Sequence, residues 1–135
     1  MNFLNRLQPL ALLVLRLALG TIMIAHGWQM IADRMQGIIG VIHHMGLPTF
    51  MAYLVVAAEF VGGILVVIGF LARLAALAIL VDMLVAIFKM HLPHGLFASN
   101  GGFEFPMACA AIAFALIFTG AGPIAIDWLW GSKGR

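Results

Sequence analysis

The stretch Leu10–Ala25, LALLVLRLALGTIMIA, is a nearly unbroken apolar run with one charged side chain, Arg16. A surface helix of a soluble protein keeps a polar face; this run has none. About 20 such residues cross the hydrocarbon core of a bilayer. Pro9 just before it suits a helix start, where its missing N–H costs nothing. The run exceeds the 7–15 residues typical of a signal-peptide core, and equally apolar stretches follow it, so it reads as a retained helix. Working outward, the same reading predicts helices over about 9–31, 50–71, 74–90 and 103–120.

Composition agrees. Of the 135 residues, 64% are hydrophobic and only 9% are Asp, Glu, Lys or Arg. Soluble domains average about 45–50% apolar and about 25% charged, and a small soluble fold has too much surface for so few charges. The expected fold is therefore all-α, an integral membrane four-helix transmembrane bundle forming one domain over 1–135, with the lipid bilayer as its first partner. The net charge is +2, with no basic run and no basic–aromatic stripe, so nothing points to nucleic acid. Cys109 is the only cysteine. It can form no internal disulfide and reads as a small packing residue.

The connections are short. Residues 33–48 carry Asp33, Arg34, Gln36, His43 and His44 among isoleucines and glycines, the pattern of a short amphipathic helix in the interface. The brief turn at Arg73 makes segments two and three antiparallel neighbours. Residues 91–102 form a second polar loop, and Trp128 and Trp130 in the tail read as interface anchors. Arg6, Arg73, Lys133 and Arg135 fall on the side of the two termini, with Arg34 and Lys89 opposite. The positive-inside rule then places both termini in the cytoplasm of a multi-pass inner-membrane protein.

Helices in lipid associate through close packing and polar contacts rather than hydrophobicity. Four stripes fit this: Arg16, Gly20, Met23 and Gly27; Glu59, Gly62, Gly63 and Val66; Ala75, Ala78, Asp82 and Lys89; Glu104, Ala108, Ala111, Ala115 and Thr119. Each carries an ionisable group, which suggests that the charges face inward.

Ionisable groups at bilayer depth cost at least about 2.5–3.5 kcal/mol on insertion scales and normally pair or line a cavity. Arg16 and Asp82 enter from the same side to similar depth and are expected to form a buried structural ion pair. Glu59 enters from the opposite side. With His26, His91, Glu104 and Asn100 near that outer end, it is expected to floor an outward-opening polar pocket for a proton or a ligand head group such as a quinone carbonyl. The competing reading is a purely structural network of charges. His91 and His94 flank Leu92-Pro93, which prevents a regular helical His pair, so no metal site is assigned. No residue is assigned a catalytic role.

Several segments, in order, carry a resemblance: Leu15–Gly20 (LRLALG), Ala25-His26-Gly27, Gly46-Leu47-Pro48, Ala58–Gly63 (AEFVGG), Gly69–Ala76 (GFLARLAA), His91–Gly95 (HLPHG) and Asn100–Pro106 (NGGFEFP). In their order and spacing the chain resembles the DoxX family of membrane proteins over nearly its full length. The resemblance implies a bacterial four-helix membrane protein, associated in some members with thiosulfate:quinone oxidoreduction. It implies a redox-linked, quinone-associated or accessory subunit of a membrane complex. Any enzymatic role would be that of a non-autonomous oxidoreductase subunit. A small oligomeric transporter or a structural subunit is the alternative, and the expected partners are other complex subunits or further copies of the chain. The topology is directly testable: a reporter active only in the cytoplasm, fused after Arg135, is expected to be active, and a periplasm-dependent reporter there silent.

Overall fold

The computed structural model describes residues 1–131; Lys133 and Arg135, counted above for orientation, lie outside the described residues. A helical turn, Asn2–Arg6, precedes α1 (Gln8–Ala32). Then follow α2 (Gln36–His44), α3 (Phe50–Ile68), α4 (Ala72–His94), α5 (Glu104–Thr119) and α6 (Ile126–Gly131). Helices α1, α3 and α4, of 25, 19 and 23 residues, are long and apolar enough to cross a membrane. Helix α5 has 16 residues, about 24 Å of rise. It is apolar but shorter than the other three. The fold is an all-helical membrane bundle, with α2 the short helix of the first connection. Its Ile42 is buried, while His43 and His44 are exposed.

Local chemistry sets the ends of the helices. Helix α3 stops at Ile68 because Gly69 adopts φ +71°, a conformation glycine takes without strain. Leu71, at φ +48°, then turns the chain into α4. Helix α4 continues past Ala86 by loosening into a π-helical turn, Ile87–His91, and tightening into a 3₁₀ turn, Leu92–His94. Helix α3 contains a second π turn, Ala57–Val61, with Glu59 at its centre.

Helices α1 and α3 touch backbone to backbone. A β-carbon on Gly27 would lie 2.6–2.8 Å from the Cβ, N and Cα of Phe60, and one on Gly63 would lie 2.9 Å from the Gly20 carbonyl and the Ile24 amide. All the residues of the first two expected stripes are buried. The other two stripes do not hold. On α4 the buried face is Ala72, Ala75, Ala76, Ile79 and Met83, leaving Ala78 and Lys89 exposed; on α5 it is Pro106, Cys109, Ala110, Ala113 and Leu116, leaving Ala108 and Ala111 exposed. The two stripes were drawn through Lys89 and Glu104, charges near helix ends that serve loops or solvent and so do not mark the core face.

Arg16 is 1% exposed, and its guanidinium does not pair with Asp82. Nε donates to the Val66 carbonyl at 2.9 Å and Nη2 to that of Val67 at 2.7 Å; Nη1 donates to the carbonyls of Ala121 at 3.0 Å and Ile124 at 2.6 Å. The expected ion pair is thus replaced by a cap on the last turn of α3. Helix α1 is six residues longer than α3 (25 against 19), so a residue two turns into α1 is level with the end of α3 rather than with the middle of α4. Arg16→Met should lower bundle stability by about 3 kcal/mol or more, because it leaves several buried carbonyls without donors. Arg16→Lys should recover only part, since an ammonium has three donors and no planar fork. Reversible unfolding in micelles measures both.

Candidate functional site

Glu59 and Asp82 come from opposite ends of antiparallel helices. Glu59 lies nine residues after Phe50, about 14 Å from the start of α3. Asp82 lies ten residues after Ala72, about 15 Å from the start of α4. The two distances add up to one hydrocarbon thickness, so the two carboxyls meet near mid-membrane. Their side chains are neighbours across the α3–α4 seam. The π turn assists this, since the extra residue in the turn changes which way Glu59 is aimed, and such turns recur at functional sites. Glu59 is 5% exposed; Asp82 is half-buried. Among the described residues no protein donor reaches Glu59 Oε2 or Asp82 Oδ2. Cys109 of α5 is also buried.

Asp82 opens onto a groove of about 580 Å³ between α3 and α4. The walls are aliphatic and Met side chains, Leu54, Val61, Leu65, Leu77 and Val85 among them, and Asp82 is the only ionisable residue in the lining. Ile42 of α2 and Leu47 line its end near the start of α3. The volume lies within the roughly 300–1,000 Å³ of small-molecule sites.

The five residues expected to form one outer pocket are not gathered into one. His91 and Glu104 brace the loop between α4 and α5: His91 Nδ1 is 2.8 Å from the Gly101 carbonyl oxygen, and Glu104 Oε1 accepts the Ala98 amide at 2.8 Å. Asn100 lies exposed in that loop. His26 is exposed and stacks on Phe105, with ring centroids 5.5 Å apart. Glu59 turns toward Asp82, and none of the five lines the groove. Among the described residues no three His, Cys, Asp or Glu side chains are grouped to hold a metal ion. A second carboxylate went unread in the sequence. Asp127 Oδ1 and Oδ2 accept the amides of Leu71 and Ala72 at 2.7 and 2.9 Å, capping α4 from outside. The available signal was that the Gly69-Phe70-Leu71 turn before α4 offers no Ser, Thr, Asp or Asn cap of its own.

The pattern of helices, the paired acids and the groove can be set beside known proteins. The DoxX family model matches residues 11–92. The chain belongs to the DoxX family. This DoxX-family chain is 32% identical to "Putative oxidoreductase CatD" of Bacillus subtilis (strain 168), over 91% of its own length and 89% of that protein's. It is 30% identical to "Inner membrane protein YqjF" of Escherichia coli (strain K12), over 96% and 98% of the two lengths. It is also 30% identical to an uncharacterized protein of Haemophilus influenzae, over 94% and 96%. No solved structure matches it.

The Asp127 cap yields a clean test. Asp127→Ala should cost about 1 kcal/mol of stability, and Asp127→Asn a smaller fraction because an amide oxygen still accepts. Chemical unfolding in micelles reads both.

Proposed function

We propose that this DoxX-family protein is a subunit of a redox-linked inner-membrane complex that holds a quinone-like molecule in the α3–α4 groove. The observation that carries the reading is Asp82, the single ionisable group in an otherwise apolar groove, backed by a buried second acid. A quinone has an apolar tail and a head whose carbonyl accepts hydrogen bonds. The groove walls suit the tail, and a protonated carboxyl at Asp82 donates to the head. Glu59 orients that carboxyl and takes or returns its proton. When bound, the quinone supplies the electron-accepting chemistry; electrons come from a partner subunit, since the chain carries no cofactor motif. The printed name of the B. subtilis relative points to oxidoreduction, and that of the E. coli relative to the inner membrane. Helix α2 and the exposed outer loop give such a complex a docking face, and the basic residues near the termini favour a cytoplasmic location for both.

The reading is tested by quinone occupancy of the protein in nanodiscs, measured by mass spectrometry after gentle release. Asp82→Leu should lower occupancy about tenfold, the effect of one hydrogen bond lost in an apolar site. Occupancy equal to that of the unaltered protein would remove the groove from this role.

A further inference from the structure

Among the described residues no cation faces the two acids from any element packed around them. Helix α1 offers Arg16, committed to four carbonyls near the inner end, and His26, exposed and stacked on Phe105. Helix α3 adds only Tyr53, which is exposed. Helix α4 adds Arg73, Lys89 and His94, all exposed, and His91, whose ring reaches the Gly101 carbonyl. Helix α5 brings no cation; its titratable groups are the buried Cys109 and Glu104, which is held by the Ala98 amide. Helix α2 has His43, 2.7 Å from the Thr49 hydroxyl, and His44, both exposed. The one species that can hold the facing carboxyls together is a proton between them.

A proton in that position is exchangeable for another cation that can reach Asp82. The groove decides which cations can. Its walls have no side-chain oxygens other than those of Asp82 to replace the hydration shell of a metal ion, and among the described residues no third ligand joins the acids. A small inorganic cation would be stripped of water without replacement. A cation whose charge sits in an apolar body loses little on entry and gains the groove walls. We propose that the α3–α4 groove binds hydrophobic organic cations, one positive charge on an apolar body, in exchange for the proton held between Glu59 and Asp82. This goes beyond the quinone reading and does not depend on it.

Tetraphenylphosphonium is the probe, bound to the whole protein in nanodiscs of zwitterionic lipid, with empty discs as reference. Because the cation displaces a proton, affinity should rise with pH, by up to about tenfold per unit. One proton should be released per cation bound. Asp82→Asn should weaken binding at least about tenfold and remove the pH dependence, half a carboxyl pair having been neutralised. Ala78→Phe fills the exposed groove wall, leaves both acids in place, and should weaken binding by a similar factor even if the Asp82 variant does not fold. Affinity independent of pH, binding unchanged in both variants, or binding no greater than to empty discs would each overturn the proposal. Quinone occupancy retained in the same discs while the phosphonium fails to bind would overturn the cation site alone.

Discussion

A hydrocarbon interior supplies no hydrogen bonds, so every polar atom inside it must find its partner within the protein. The last turn of α3 has carbonyls that no residue of α3 can satisfy, and Arg16 of α1 supplies the donors. The same guanidinium reaches Ala121 and Ile124 after α5, so one side chain joins three parts of the chain. Asp127 completes the arrangement from the other sign of charge, taking the free amides at the start of α4. A cation at a helix C-terminus and an anion at an N-terminus both oppose the macrodipole favourably. The end of the bundle that carries the α3–α4 turn is thereby fixed before any apolar packing is considered.

The clamp and the glycines together explain why a groove exists where it does. Helix α1 lies against α3 at backbone distance through Gly20, Gly27 and Gly63. Helix α4 lies against α5 through Ala76, Cys109, Ala110 and Ala113. Two tight pairs result. At the seam between them a β-carbon on Gly62 would only just reach ordinary contact with Ala75 and Ile79. A glycine opposite an alanine cannot fill that seam, and the groove runs along it from Leu74 to Val85 of α4. Asp82 sits on its border with Glu59 behind it.

Much of this was legible in the sequence. Apolar runs of spanning length gave the helices, and the Gly20–Gly27 spacing gave the face of α1. The inward face of α3 followed from Glu59, Gly62, Gly63 and Val66. The polar partners were not legible in the same way. Pairing Arg16 with Asp82 assumed that opposite charges at equal depth meet, but in lipid a carbonyl at a helix end competes with a carboxylate for the same donor. Depth measured from the opposite side, about 14 Å for Glu59, already placed Glu59 level with Asp82. Two acids facing each other look unfavourable until a proton is counted as a partner. The outer histidines and Glu104 were misassigned for a related reason: near a helix end the nearest unsatisfied groups belong to the loop.

The contrast between the two buried charged sites separates structure from function. Arg16 is wholly enclosed, and each of its three guanidinium nitrogens has an acceptor, as expected of a group whose task ends with folding. The acids are different. Each has an oxygen with no protein donor, and Asp82 is open on one side to the groove. A buried polar pair kept only to join α3 and α4 could be replaced by apolar side chains with little loss and often a gain. The glycine–alanine seam shows that such joining needs no acids. The acids also lie at the greatest distance from water available to the chain, where their cost is highest. A group placed at the costliest depth, left unsatisfied by the protein and turned toward an apolar cavity, is arranged for something that enters that cavity.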